Sequence, residues 1–294
     1  MSTASQNGRI AGGRVGVLLI HGLCGSPAEM RFVANSLSRE GYTVHSPVLA
    51  GHGGTSEDLK ATTWQDWLRS AEEGLDELAK TCDTIIAAGL STGALLALML
   101  AHRHPEKVKG IALFSPTLWL NGKKIPWKMR LARRFLAFKA VARHFDLPAP
   151  QAYGIKDERI RDFVSKATRA SGASATAHST PGLVALERRW LAKEVIGVLA
   201  KIKQPTLIIH PREDCLADIN NAFYLQRNLA GAADLVVLDD SYHIVTIDRQ
   251  RHIVVEETAR FAARVGDRSR GVRAPARPSV QQVARSGGLV PAFA

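Results

Sequence analysis

The chain has 294 residues, 46% hydrophobic and 22% charged, and a formal net charge of +12 at pH 7. That length and balance belong to a globular protein with a substantial core and exclude a fibrous or intrinsically disordered chain. Cys24, Cys82 and Cys215 are odd in number and lack metal-ligand spacing, which argues against a disulfide scaffold and for a reducing compartment.

The charge is unevenly placed. Residues 117–203 carry 18 Lys and Arg against 6 Asp and Glu, residues 267–294 carry five Arg and one Asp, and the remainder is net −4. The basic character therefore belongs to an insertion and a tail, and points to an acidic substrate or partner surface near the insertion. Residues 1–14 are polar and glycine-rich with no apolar stretch of signal-peptide length, and Val17-Leu18-Leu19-Ile20 is too short to span a bilayer. A flexible N-terminus over 1–14 and a cytoplasmic location are expected.

Val15 to Ile20 is an apolar run of strand length that ends at His21-Gly22-Leu23-Cys24-Gly25. Ser26 opens a helical stretch with Pro27 in its first turn and Glu29 three residues on, which reads as a capping box. Met30, Val33, Ala34 and Leu37 keep helical spacing until Gly41. A second strand over Tyr42–Val48 leads into Ala50-Gly51-His52-Gly53-Gly54. Trp64, Trp67, Leu68, Ala71, Leu75 and Leu78 mark an amphipathic helix. The strand Thr84–Ala88 runs into Gly89-Leu90-Ser91-Thr92-Gly93, followed by a helix that stops near His104-Pro105, and Val108–Phe114 is another strand. Strands alternating with helices predict a parallel α/β sheet whose functional groups gather at the carboxyl ends of the strands, where His21, His52 and Ser91 lie.

From about Thr117 to Gln204 there is no strand-like run. Lys128–Phe145 predicts a helix with Leu131, Phe135, Phe138, Val141/Ala142 and Phe145 on one stripe and Arg130, Arg133, Arg134, Lys139 and Arg143 around the rest. Ser171–Thr180 reads as a small-residue loop, and Leu183–Leu199 returns to helical patterning. Residues 117–204 are thus expected to form a helical lid over the sheet edge. The α/β rhythm resumes with a strand at Pro205–His210, the loop Arg212-Glu213-Asp214-Cys215, a helix over Asp218–Leu229 and a strand at Leu235–Leu238. The loop Asp239-Asp240-Ser241-Tyr242-His243 and a helix over Arg249–Arg264 complete it. The core is expected to comprise 15–116 and 205–265, with 266–294 a basic disordered tail.

Small residues two before and two after Ser91 permit a sharp strand-to-helix turn that exposes its hydroxyl beside free helix N–H groups. A serine hydroxyl needs an imidazole to accept its proton, and the imidazole needs a carboxylate to hold its tautomer. His243, after the last strand, and Asp214, after the previous one, supply these groups in the chain order Ser, Asp, His. The amides of Thr92 and Leu23 are the candidate oxyanion-hole donors. Glu213 and Asp218 are rivals for the acid, Asp218 being better explained as a helix N-cap. His21 and His52 read as structural groups bonding loop backbone. Metal binding by His21, His52 and His243 has no supporting spacing. Cys24 reads as a small buried residue.

With these residues in place, the chain resembles the α/β-hydrolase superfamily, and within it bacterial carboxylesterases and monoacylglycerol lipases, over about residues 15–265. The resemblance rests on His21-Gly22-Leu23, Gly51-His52-Gly53, Gly89-Leu90-Ser91-Thr92-Gly93, Asp214, and Ser241-Tyr242-His243-Ile244-Val245-Thr246-Ile247-Asp248. The chain departs from the family pattern at Pro211 and Ala217 around the acid and at Ala94 after the elbow. The resemblance implies a mostly parallel sheet flanked by helices, a helical lid, no cofactor or metal, and hydrolysis of short-to-medium acyl esters or monoacylglycerols. The alternatives are a thioesterase or acyltransferase on an acyl-CoA-like substrate and a non-catalytic ligand-binding protein. The lid residues that would bind substrate are not individually identified by sequence. An anionic lipid surface is a candidate partner of the basic lid, and nucleic acid is not, since no recognition module accompanies the charge.

Overall fold

Apolar runs with few charges form strands that are buried on both faces, as a parallel sheet requires. The protein is described here by a computed structural model over residues 8–122, 139–148, 154–170 and 179–269. In chain order its strands are β1 (Arg9–Ile10), β2 (Val15–Ile20), β3 (Thr43–His45), β4 (Thr84–Leu90), β5 (Val108–Phe114), β6 (Asp146–Pro148), β7 (Ser179–Pro181), β8 (Thr206–Pro211) and β9 (Ala233–Leu238). The helices are α1 (Arg31–Arg39), α2 (Ser56–Lys60), α3 (Trp64–Ala79), α4 (Thr92–Arg103), α5 (Lys139–Ala142), α6 (Glu158–Ala170), α7 (Gly182–Val198), α8 (Asn220–Asn228) and α9 (Arg251–Ser269).

The main sheet has the order β1-β3-β2-β4-β5-β8-β9, parallel except for β1. Side chains alternate across it with period two. Leu18, Ile20, Ile85, Ala87, Ile111, Leu113 and Ile208 meet α3, α4, α7 and α8 on one face. Val17, Leu19, Ile86, Ala88, Ala112, Phe114, Leu207 and Ile209 meet α1 and α9 on the other. Removing each such Leu, Ile or Phe from water is worth about 1.5–3 kcal/mol, so both layers hold the sheet.

Several boundaries differ from expectation, each for a local reason. Residues 9–10, placed by sequence in a flexible N-terminus, add an antiparallel edge strand, with Arg9 opposite His45 and Ile10 opposite Val44. Two residues are too few to show a period. The strand expected over Tyr42–Val48 is only Thr43–His45: the Ser46 amide still reaches Gly8 O (3.1 Å), in register with β1, but Pro47 has no N–H to continue the ladder. Between Thr117 and Gln204, where no strand was expected, β6 and β7 pair antiparallel as a separate ribbon. Each is three residues long and contains proline, which conceals the pattern.

Of the helix expected over Lys128–Phe145, only Lys139–Ala142 is helical among the described residues, and Phe145 lies beyond its end with its carbonyl accepting the Gly182 amide (2.8 Å). Arg130, Leu131, Arg133, Arg134, Phe135 and Phe138 lie outside the described residues, as do 171–178 and 270–294. The closing helix continues through Gly266 to Ser269, because Phe261, Ala262 and Val265 extend its buried stripe.

Candidate active site

Ser91 is the junction between β4 and α4, with φ 56° and ψ −110°. A side chain on Gly89 would sit 2.1 Å from Gly93 O, and one on Gly93 would sit 2.2 Å from Ile20 O. Both glycines are therefore required by close backbone approach. Among the described residues the non-glycines with positive φ are Cys24, Ser91 and Ser115, and each follows one of the adjacent strands β2, β4 and β5. Such conformations cost about 1–3 kcal/mol each and are retained where function needs them. They collect at one sheet edge.

His243 Nε2 lies 2.9 Å from Ser91 Oγ, and His243 Nδ1 lies 2.7 Å from Asp214 Oδ2 and 3.0 Å from Oδ1. Asp214 also accepts the amides of Leu216 (2.8 Å) and Ala217 (3.0 Å), with His210 Nε2 3.6 Å away. Burial pushes the Asp214 carboxyl up, but the charge and hydrogen bond of His243, then His210 and the Ala217 amide, outweigh it and hold the group below its ordinary value. An ionised carboxylate can only accept, so the Nδ1 proton points at Asp214 and Nε2 is left to accept from Ser91 Oγ. Of the rival acids, Glu213 is half exposed and pairs with Lys156, and Asp218 Oδ1 accepts the Asn220 amide at the start of α8.

β2 and β4 are hydrogen-bonded neighbours with Ile20 opposite Gly89, so the His21–Gly25 loop and the elbow leave the sheet side by side. Thr92 is the first residue of α4, and the amides of Leu23 and Thr92 donate to no described protein acceptor. Glu29, expected in a capping box with Ser26, instead accepts the Gly22 amide at 3.1 Å, while Ser26 Oγ receives Ala28 N at 3.4 Å. Its carboxylate fills the space where a side chain on Gly25 would go, 2.3 Å away. Burial pushes Glu29 up to about 7, against the opposing pull of the Gly22 amide and His243.

This raised value has a testable sign. The stability that Glu29 contributes is fully present below its ordinary carboxyl value of 4.5 and is lost as pH rises through about 7. Glu29→Gln removes that titration. Relative to the parent it is expected to gain on the order of 2 kcal/mol between about pH 5 and about pH 8. Thermal melts of both proteins at each pH check this, and a pH-independent difference rejects it.

His21 Nδ1 donates to Gly22 O (2.9 Å) and its Nε2 accepts from Leu49 N (3.2 Å); burial, then His52, depresses it to about 3. His52 Nδ1 donates to Ala50 O (3.0 Å). Both imidazoles thus hold loop backbone. The Cys24 thiol is pushed up to about 12 by burial, which leaves it protonated and inert. Sequence reasoning missed Thr117, whose Oγ1 is 3.3 Å from Ser91 Oγ and donates to Ser115 O (3.0 Å). It also missed Arg188, a buried α7 residue whose Nη1 donates to Thr117 O at 2.9 Å. Thr117 follows the strand beside the elbow, and that adjacency was the available signal.

The family model described as serine aminopeptidase, S33, matches residues 14–250. The chain is 31% identical over 253 residues to the thermostable monoacylglycerol lipase of Bacillus sp. (strain H-257), covering 86% of this chain and 92% of that one. It is 24% identical over 252 residues to the carboxylesterase of Bacillus subtilis (strain 168), covering 85% and 93%. Among solved structures it is similar to one reported for the metagenome-derived lipolytic enzymes LipS and LipT, with TM-score 0.73 and 28% identity, over 88% of this chain and 98% of that one. Given this coverage and the sheet and elbow described above, the chain belongs to the serine aminopeptidase S33 family and has the α/β-hydrolase fold.

Proposed function

We propose that the protein hydrolyses carboxylic esters through an acyl-enzyme on Ser91. The observation that carries this reading is the line from the half-buried Ser91 Oγ to His243 Nε2 and from His243 Nδ1 to the buried Asp214, at 2.9 and 2.7 Å. Ser91 Oγ attacks the ester carbonyl as its proton passes to His243 Nε2, and the carbonyl oxygen becomes an oxyanion facing the Leu23 and Thr92 amides. Collapse of the tetrahedral intermediate breaks the bond to the alcohol oxygen, which takes the proton from His243. Water, deprotonated by His243, then attacks the acyl carbon, and Ser91 leaves with the returned proton. Asp214 holds the imidazole tautomer and balances the charge of the imidazolium throughout. No step of this scheme calls for a metal or organic cofactor.

The family's description names a peptidase, but relatives matched over more than nine-tenths of their length include a monoacylglycerol lipase and a carboxylesterase, which supports esters as the substrate class. Within that class we read short-to-medium acyl esters or monoacylglycerols. Residues 117–204 are read as the lid over a core of 15–116 and 205–265. In this reading α7 is its fixed end, since Val184, Leu191 and Val195 pack into the same core as α3 and α4. The excess of basic residues across 117–203 supports an anionic lipid surface or anionic substrate there.

The test is turnover of p-nitrophenyl butyrate together with labelling by a phosphonate ester. Turnover and a single covalent adduct mapping to Ser91 are expected; absence of both overturns the reading. A higher kcat/KM on glycerol monoesters than on acyl-CoA is expected, and the reverse order favours the thioesterase alternative.

A further inference from the structure

The proposed mechanism requires two separate loops, one after β8 and one after β9, to stay registered within a few tenths of an ångström. The sheet ladder does not do this by itself. Its last bond there, Arg212 N to Leu238 O (2.8 Å), stops short of both Asp214 and His243. Arg212 and Asp239 form a pair beside it, but both are mostly exposed, and such pairs hold little.

A segment from elsewhere in the chain spans the gap. The Lys156 ammonium lies 2.6 Å from Glu213 Oε2 and 2.9 Å from Asp240 Oδ1, and 5.5 Å from the centre of the Tyr242 ring. Glu213 adjoins Asp214 and Tyr242 adjoins His243, so one side chain bridges the acid loop and the base loop. Three N–H donors on one cation make the double contact possible. The backbone repeats the connection. Asp248, fully buried, accepts Lys156 N (2.9 Å) and Tyr242 N (2.7 Å) on Oδ2, and Asp157 N (2.9 Å) and Arg249 N (2.9 Å) on Oδ1. Ile244 N donates to Gly154 O (2.8 Å). Gly154 has φ +72°, and a side chain there would come within 3.2 Å of the His243 Cβ. The segment 154–157 is thus fastened directly behind the imidazole.

We propose that Lys156 and Asp248 are positioning residues, forming a clasp that sets the Asp214–His243 geometry and ties it to the chain between β5 and β8. The inference rests on the reading of Ser91, His243 and Asp214 as the reacting and orienting groups. Through the clasp, displacement of the 154–157 segment alters the base as well as access to it.

The test compares Lys156→Met, Lys156→Arg and Asp248→Asn. The readouts are kcat and KM for p-nitrophenyl butyrate, the melting temperature, and the low-field proton resonance of the His243–Asp214 hydrogen bond. Lys156→Met is expected to lower kcat about tenfold with KM within about twofold, since small misplacements of reacting groups act on the rate. Its melting temperature should stay near that of the parent while the resonance shifts or broadens. Lys156→Arg, which keeps the charge, should recover most of the kcat. Asp248→Asn offers one acceptor oxygen to four amides and is expected to lose about a hundredfold in kcat. If Asp248→Asn does not fold, Lys156→Met decides alone. Parental kcat and an unshifted resonance in Lys156→Met overturn the clasp. Should Ser91→Ala abolish turnover in that case, only the clasp falls; should Ser91→Ala retain it, the reading of Ser91 as the nucleophile falls with it.

Discussion

Ser91→Ala is expected to lower kcat/KM for p-nitrophenyl butyrate by about 10⁵-fold, leaving only the contribution of binding and the oxyanion donors. The size follows from what the substitution removes. Without Oγ no acyl-enzyme forms, and His243 Nε2, now 2.9 Å from nothing that can attack, has only water to activate. The fold should survive. Alanine takes the same φ of 56° at similar cost to serine, and the Ser91 amide keeps its bond to Phe114 O at 2.8 Å. A melting temperature near the parental one, with turnover gone and no phosphonate adduct, is the expected pair of results. Retention of most of the activity would place the nucleophile elsewhere.

Asp214→Asn is expected to cost about 10³–10⁴-fold in kcat, although it changes the side chain by one group. The asparagine amide can donate toward Nδ1, which forces the ring proton onto Nε2 and leaves no acceptor for the Ser91 hydroxyl. Asp214 stays ionised in the parent at working pH, because its value is held below the usual 3.8. The stability from its hydrogen bonds is present above that ordinary value and is lost as pH falls through the lower, folded-state one. Glu213→Gln is the matched control. Glu213 is half exposed and touches Lys156 rather than the imidazole, so its loss is expected to be about tenfold at most. Steady-state kinetics of the two variants decide the acid, and the opposite ranking moves the assignment to Glu213.

The parts of the molecule that were legible in the sequence share one property: their signal is local or periodic. The apolar runs that became β2, β4, β5 and β8 are continuous because both faces of a parallel strand are buried. The elbow glycines stand out because two backbones cannot approach at Gly89 and Gly93 in any other way. Glu29 shows where such reading ends. Its spacing from Ser26 matches a capping box, yet the carboxylate turns to the Gly22 amide, because a loop from the end of β2 folds over it. Thr117 offered only its place after the strand beside the elbow, and Arg188 carried no signal, since it sits in no pattern that its neighbours in sequence reveal.

The sequence by itself determined that strands alternate with helices, that Ser91 sits on a tight turn, and that Asp214 and His243 follow later strands in a usable order. Each of these depends on residues near one another in the chain, where steric limits and hydrophobic period act directly. Only the tertiary structure decided which carboxylate faces the imidazole, why Glu213 does not, and what holds the two loops in register. Those outcomes depend on hydrogen bonds between segments dozens of residues apart, as between Lys156 and Glu213 or between Asp157 and Asp248. Pairings of that kind are set by how the sheet edge packs, and no spacing along the chain encodes them.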